Sequence, residues 1–166
     1  MTLFTSFMSD AIEQARCAAA CNEVPVGAVV LHDNKGIIAR GHNMMETMQD
    51  ATAHAEMIVL RKAASYLGSK YLDMCDLYVS LEPCPMCAQA ISLSRVRRVY
   101  FAVQRDDFAH IGQIGGDMLR GGGGSGSGGT PMCCIGYMPE VYIGEMQEEA
   151  KSIMSNFFCS IRGKTL

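Results

Sequence analysis

LYVSLEPCPMCAQAISLSRVRRVYFAV, residues 77–103, is the stretch that decides the fold. Residues 77–81 read as a strand, 84–94 as a helix and 96–103 as a second strand, and a strand, helix and strand joined by short links imply a parallel crossover. Toward the N-terminus, Phe4, Met8, Ala11, Ile12, Ala15 and Ala19 recur at helical spacing. Two apolar runs, 24–32 and 36–41, flank the turn residues Asp33-Asn34-Lys35-Gly36 and predict an antiparallel hairpin. Hairpin and crossover together make the sheet mixed. Asp50-Ala51-Thr52 offers capping residues for a helix that carries Met57, Ile58, Leu60, Ala63 and Ala64 along an apolar face. The tail adds a strand at 140–143 and a helix at 145–158, with Met146, Ala150, Ile153, Met154, Phe157 and Phe158 on or near one side.

The chemistry sits where these elements begin. Cys84 and Cys87 are three residues apart, so at a helix start both sulfurs project from one face. Pro85 suits the first helical position, with Cys84 as N-cap, because proline lacks an N–H that would be unsatisfied there. Such a start aims unpaired N–H groups and the positive end of the helix dipole at the thiolates, which favours metal binding at neutral pH. His54 and Glu56 lie about 200° apart in mid-helix and can share a pocket only where a helix is starting. Two helix starts then converge on one metal, at the carboxyl end of a strand, where open sheets place ligands. The inventory is three zinc ligands, His54, Cys84 and Cys87, plus a carboxylate, Glu56, that need not bind metal. A catalytic zinc keeps its fourth position open for water, whereas a structural one closes it. Two plainer readings compete. A redox pair at Cys84 and Cys87 leaves His54 and Glu56 idle. A structural zinc would recruit Cys75, Cys133, Cys134 or His110 and leave Glu56 without a task.

Composition fits a single domain over residues 1–166. A chain of 166 residues buries about 70% of the surface its unfolded form exposes, enough for a full core without staples. Its eight cysteines, at positions 17, 21, 75, 84, 87, 133, 134 and 159, would suit a secreted disulfide framework, but the N-terminus lacks a basic region and Asp10 and Glu13 interrupt any apolar stretch. No run approaches the roughly 18 apolar residues of a membrane span, so a reducing, cytoplasmic setting without membrane attachment is expected. Cys17 and Cys21, one helical turn apart, read as small core residues beside Ala18–Ala20 rather than as ligands. A net charge of −3 argues against binding nucleic acid by bulk electrostatics, leaving a local patch from Arg95, Arg97, Arg98 and Arg105, or an ordinary solvated surface. Residues 121–129, GGGGSGSGG, have the composition of a flexible linker and look more like a designed splice than a natural loop.

The pairing of H-x-E with P-C-x-x-C is the signature of the zinc-dependent nucleobase deaminases. More closely, Glu23-Val24-Pro25-Val26-Gly27-Ala28-Val29, Gly41-His42-Asn43, Thr52-Ala53-His54-Ala55-Glu56 and Leu81-Glu82-Pro83-Cys84-Pro85-Met86-Cys87-Ala88 resemble the bacterial tRNA-specific adenosine deaminases. The likeness covers nearly all of 4–103 and resumes at Pro139-Glu140-Val141-Tyr142 and Phe157-Phe158. It implies a three-layer α/β/α, cytidine-deaminase-like fold with a five-stranded mixed sheet, and a homodimer. It also implies one zinc per chain on His54, Cys84 and Cys87, with Glu56 moving protons. Asn43 matches the residue that bonds the purine, and Val26, Leu81, Ala55, Phe157 and Phe158 match positions around the substrate. The substrate implied is adenosine at the wobble position of a tRNA anticodon loop, converted to inosine, and the partner is tRNA or another single-stranded nucleic acid. Arg105 stands near the place where the family pattern usually carries an Asp, with Asp106 following, and basic residues are sparse before Pro139 and at the C-terminus, where only Arg162 and Lys164 occur. A deaminase of free nucleobases, nucleosides or cytosine, an engineered enzyme acting on DNA, and a non-catalytic zinc-bearing module remain as alternatives.

Overall fold

The computed structural model describes residues 7–108 and 136–162. In chain order the elements are α1 (Met8–Ala20), β1 (Gly27–His32), β2 (Gly36–His42), a single turn α2 (Met45–Met48), α3 (Ala55–Leu67), β3 (Cys75–Leu81), α4 (Pro85–Leu93), β4 (Arg98–Val103), a 3-10 turn at Arg105–Phe108, β5 (Glu140–Ile143) and α5 (Gln147–Arg162). The five strands form one sheet in the order β2-β1-β3-β4-β5. β1 is antiparallel to β2 and β3, while β3, β4 and β5 run parallel. The mixed sheet and the crossover through α4 are as the sequence predicts.

Alternation along the strands divides the core between the two faces of the sheet. Val30, Leu77, Val79, Val99 and Phe101 pack with Ala55, Val59 and Ala63 of α3 and Ala88 and Ile91 of α4. Val29, Tyr78 and Ala102 pack with Met8, Ala11 and Ile12 of α1 and Ala150 of α5. Three layers follow, with both faces of β3 covered, which is why residues 75–80 are buried without interruption. Tyr78, Tyr100 and Tyr142 stack across three neighbouring strands, with ring centroids 4.4 and 4.8 Å apart.

Several boundaries differ from the sequence reading, each for a local reason. β1 starts at Gly27 rather than 24, because Pro25 has no N–H for a ladder and the Val26 N–H turns back onto the Val24 carbonyl at 2.7 Å. β4 starts at Arg98 rather than 96, because residues 95 and 96 still close the end of α4, through Arg95 N–H to Ser92 O and Val96 N–H to Ile91 O. α3 buries a wider face than expected, including Val59. Asp50 and Thr52 do not cap it: Asp50 instead accepts from the Thr52 N–H at 2.8 Å and hydroxyl at 2.7 Å, and His54 itself is the N-cap. At the other end Gly68 takes the left-handed conformation (φ 61°) that lets the Ser69 N–H close on the Ala64 carbonyl. Cys17 is half-buried and Cys21 exposed, so neither is the core residue expected. Phe4 and the glycine-rich run 121–129 lie outside the described residues.

The arginines expected as a patch are dispersed and largely committed. Arg97 grips Asp33 through Nη1 and Nη2 at 2.6 and 2.7 Å, and Asp76 through Nε and Nη2 at 2.9 and 3.0 Å. It thereby ties the hairpin turn to the first residues of β3 and β4. The same guanidinium holds the Asp33 carboxyl below the usual carboxylate range. Arg98 reaches Asp76 and Glu140, and Arg95 lies over the Tyr71 ring at 4.0 Å.

Close approach of α1 to β1 is built on Gly27, where a Cβ would collide with the Ala11 carbonyl oxygen and the Ala15 nitrogen, both backbone atoms. Gly27→Ala is expected to destabilise the fold by about 1–3 kcal/mol, the usual cost of overpacking. Chemical denaturation with unchanged midpoint would contradict this account of how α1 is seated.

Candidate metal centre

Sheet register gathers one end of the molecule. β2 and β3 each run antiparallel to β1, so the carboxyl ends of β2, β3, β4 and β5 share an edge with the start of β1. His54 N-caps α3 (φ −68°, ψ 154°) and Cys84 N-caps α4 (φ −73°, ψ 168°), with Pro85 in the first helical position as the sequence predicts. The extended ψ at each cap turns the side chain off the helix axis, and Cys87 follows within the first turn of α4.

The three ligand atoms lie within 4.8 Å of one another, and no other His, Cys, Asp or Glu joins them among the described residues. His54 Nδ1 stands 3.5 Å from the sulfurs of both Cys84 and Cys87. Zinc bonds of about 2.3 Å to sulfur and 2.0–2.1 Å to nitrogen, set tetrahedrally, separate such atoms by about 3.5 Å. The donor set therefore fits zinc both in chemistry and in spacing. Cys75 belongs elsewhere: it opens β3 opposite His32, buried beside Asp76, and burial pushes its thiol up to about 11. Cys133, Cys134 and His110, the other residues considered as a fourth ligand, lie outside the described residues.

Electrostatics at the cluster are dominated by contact. Hydrogen bonding from Cys87 and from His54 overcomes burial and holds the Cys84 thiol down at about 3, while the same Cys84 partner and burial push Cys87 up. His54 is raised by its bond to Cys84 against its own burial. Glu56 is 3% exposed and outside the ligand set, with its carboxyl hydrogen-bonded to Cys87. Burial pushes it above the ordinary carboxylate range, against the pull of its backbone N–H and of His54.

The remaining expected residues separate. Asn43 is 4% exposed and follows β2 directly, with its N–H on the Val26 carbonyl at 2.9 Å, while the Met44 N–H bonds the Ala53 carbonyl at 2.9 Å, one residue before His54. Val26 and Leu81 are half-buried at the same end of the sheet. Ala55 is fully buried in the core. Phe157 and Phe158 meet edge-on at 5.5 Å on α5, which packs on α1 and β4, on the opposite face from α3 and α4. Of the four arginines only Arg105 belongs to this end, where its charge opposes protonation of His54. Two acids escaped the sequence reading of roles. Glu82, 7% exposed, accepts the Arg105 N–H at 3.0 Å and ties the turn after β4 to the loop that carries Cys84. Glu23, 1% exposed, bonds Asn43. Each lies beside a motif, but nothing in residue type marks an acid as buried.

Comparison with known proteins agrees with this geometry. Residues 1–103 match the family described as the cytidine and deoxycytidylate deaminase zinc-binding region. The tRNA-specific adenosine deaminase of Agrobacterium fabrum is 40% identical over 158 residues, covering 93% of each chain. A solved structure from work on A-to-I editing by tRNA:A34 deaminases at the wobble position of transfer RNA is 40% identical, with a TM-score of 0.72 over 89% of this chain and 97% of that one. The guanine deaminase of Nitrosomonas europaea is 26% identical, with a TM-score of 0.75 over 92% of this chain and 82% of that one.

Cys87→Ala is expected to lose bound zinc and to lower Tm, because metal affinity at such a site is part of folding free energy. Glu56→Ala is expected to retain one zinc per chain. Metal analysis beside thermal melting separates the two, and equal zinc loss would place Glu56 in the ligand set.

Proposed function

Because the chain belongs to the cytidine and deoxycytidylate deaminase family, and within it to the tRNA-specific adenosine deaminases, we propose that it hydrolyses adenosine to inosine and ammonia at the wobble position of a tRNA anticodon loop. The observation that carries this reading is the ligand set of His54, Cys84 and Cys87, which no fourth ligand joins among the described residues, beside the buried carboxylate of Glu56, which lies outside the set. Zinc, when bound, lowers the pKa of water at its open position toward about 7. Glu56 then has one task in two directions. It takes the proton from the attacking water and passes it to N1 of the purine, then takes the proton of the new C6 hydroxyl and delivers it to the amine, so that ammonia leaves as the C6 carbonyl forms. Burial suits it to both, since a carboxyl raised above its ordinary range holds a proton at neutral pH more readily than an exposed one.

A base inside a helix cannot reach such a site, so the adenosine must be extruded or already unstacked, as in an anticodon loop. Asn43, at the mouth of the sheet end that holds His54, reads the extruded purine. Val26 and Leu81 flank it, and Phe157 and Phe158 belong to the longer RNA path. Pairing of two chains supplies further contacts, which must be local basic ones because pairing does not reduce the net charge of −3 per chain. No helix of the described residues is long and apolar enough to cross a membrane, and the reaction is assigned to the cytoplasm, where tRNA is found. The guanine deaminase with the same fold makes a free base the principal rival substrate.

Ammonia released per zinc, with the deaminated product identified in each case, decides between them, measured on an adenosine-bearing anticodon stem-loop, the same loop carrying cytidine, a DNA loop, free adenosine and free guanine. The RNA adenosine loop is expected to be preferred, with affinity falling as salt rises. Preference for a free base or for cytidine would move the chain to another branch. Glu56→Ala is expected to cut turnover by about 10²–10⁴-fold, the usual contribution of a general acid–base group.

A further inference from the structure

Glu23 is a buried acid that the reaction above does not use. It lies between α1 and β1, is 1% exposed, and its partners are N–H donors rather than a lysine or arginine. Oε1 accepts the Thr47 N–H at 2.6 Å, and Oε2 accepts the Glu46 N–H at 3.2 Å and Asn43 Nδ2 at 3.1 Å. Burial alone would raise the carboxyl, yet the bonds from Thr47 and Glu46 prevail and hold it ionised, below the usual range.

An ionised carboxylate can only accept, so the amide beside it must present nitrogen and not oxygen. That fixes which way Asn43 points. Its backbone is already fixed, by the bond to Val26 and by the bond from Met44 to Ala53. Among the described residues, one N–H and the carbonyl oxygen of the Asn43 amide have no partner, and both take their direction from the bond to Glu23, at the end of the sheet that carries His54. A neighbouring donor and acceptor of this kind complements the acceptor N7 and donor N6 of adenine. Glutamine of the same size would keep the Thr47 bond through its carbonyl and set an NH2 where Oε2 stands, against the Glu46 N–H and Asn43 Nδ2. Glutamine would also tolerate the flipped amide of Asn43. Only a carboxylate forbids it.

We propose that Glu23 is a positioning residue for base recognition: it clamps the Asn43 amide in the single orientation that matches adenine. The inference rests on the reading of Asn43 given under the proposed function. Its test uses the full zinc-loaded chain and the variants Glu23→Gln, Asn43→Ala and the double variant, each checked for zinc per chain and Tm. On the adenosine stem-loop, Glu23→Gln is expected to lower kcat/KM by about tenfold or more, as misplacement of a positioning group does, with zinc content unchanged. In the Asn43→Ala background the same substitution is expected to change kcat/KM less than about twofold, because the group through which Glu23 acts is gone.

A structural role alone would give equal losses in both backgrounds, and that result overturns the proposal. An Asn43→Ala variant as active as the parent overturns it too, since Glu23 would then have nothing to act through. A second measurement does not depend on turnover. The side-chain amide resonances of Asn43, assigned by their disappearance in Asn43→Ala, are expected to shift in Glu23→Gln as the hydrogen bond to the carboxylate is lost. Unchanged resonances overturn the clamp. If the parent chain turns over no RNA adenosine, the functional reading falls, and the amide resonances still decide whether Glu23 holds Asn43.

Discussion

Two helices that must begin on their own metal ligands constrain the whole molecule. His54 and Glu56 are two residues apart and would diverge by about 200° inside a helix. At the first turn of α3, with His54 still in extended backbone, the imidazole turns to the sulfurs while Glu56 turns inward. Cys84 and Cys87 meet the same requirement on α4, with Pro85 fixing the start. Each helix therefore has to be delivered N-terminus first to one point. A sheet whose parallel strands all end at that point does so, and the orientation of β2 against β1 adds the strand end that carries Asn43. The fold is in this sense the means of aiming two helix starts at one another.

The far end of the sheet has the opposite character. There Arg97 binds both Asp33 and Asp76, joining the hairpin turn to the starts of β3 and β4 with four short hydrogen bonds. This fixes the register of the central strands at the end away from the metal. It also consumes the cations that composition offered for nucleic acid. Arg97 and Arg98 stabilise the sheet, Arg95 covers Tyr71, and Arg105 alone stands near the centre. These four arginines therefore do not assemble into a single basic patch.

What was legible in the sequence follows from which signals are local. Helix starts at Cys84 and near His54, the hairpin and the crossover are written in local patterns, and the ligand triad, although His54 lies 30 and 33 residues from its partners, is legible because its residue types form a metal-binding signature. The boundaries that moved did so through long-range or turn contacts: β1 gave way before Pro25, and residues 95 and 96 closed α4 instead of opening β4. Asp50 looked like a cap because its type permits one, but it folded back on Thr52 before the helix began. Glu23 was invisible for a different reason. Its partners, Asn43, Glu46 and Thr47, are twenty or more residues away, and no periodicity connects an acid before a strand to a loop after the next one.

The division between chemistry and recognition is also physical. The guanine deaminase of Nitrosomonas europaea shares this fold at a TM-score of 0.75 with 26% identity, so the fold by itself does not select a base. In the proposed reaction zinc, its three ligands and the Glu56 carboxylate act on the atoms common to every amino-bearing ring. Choice among rings has to come from hydrogen bonds that are satisfied by one pattern of donors and acceptors and left unpaired by another, which is where large discrimination arises. A freely turning amide meets either pattern after a flip and so discriminates poorly. An amide held by a buried carboxylate cannot make that adjustment, and the cost of burying Glu23 is then the cost of making Asn43 selective.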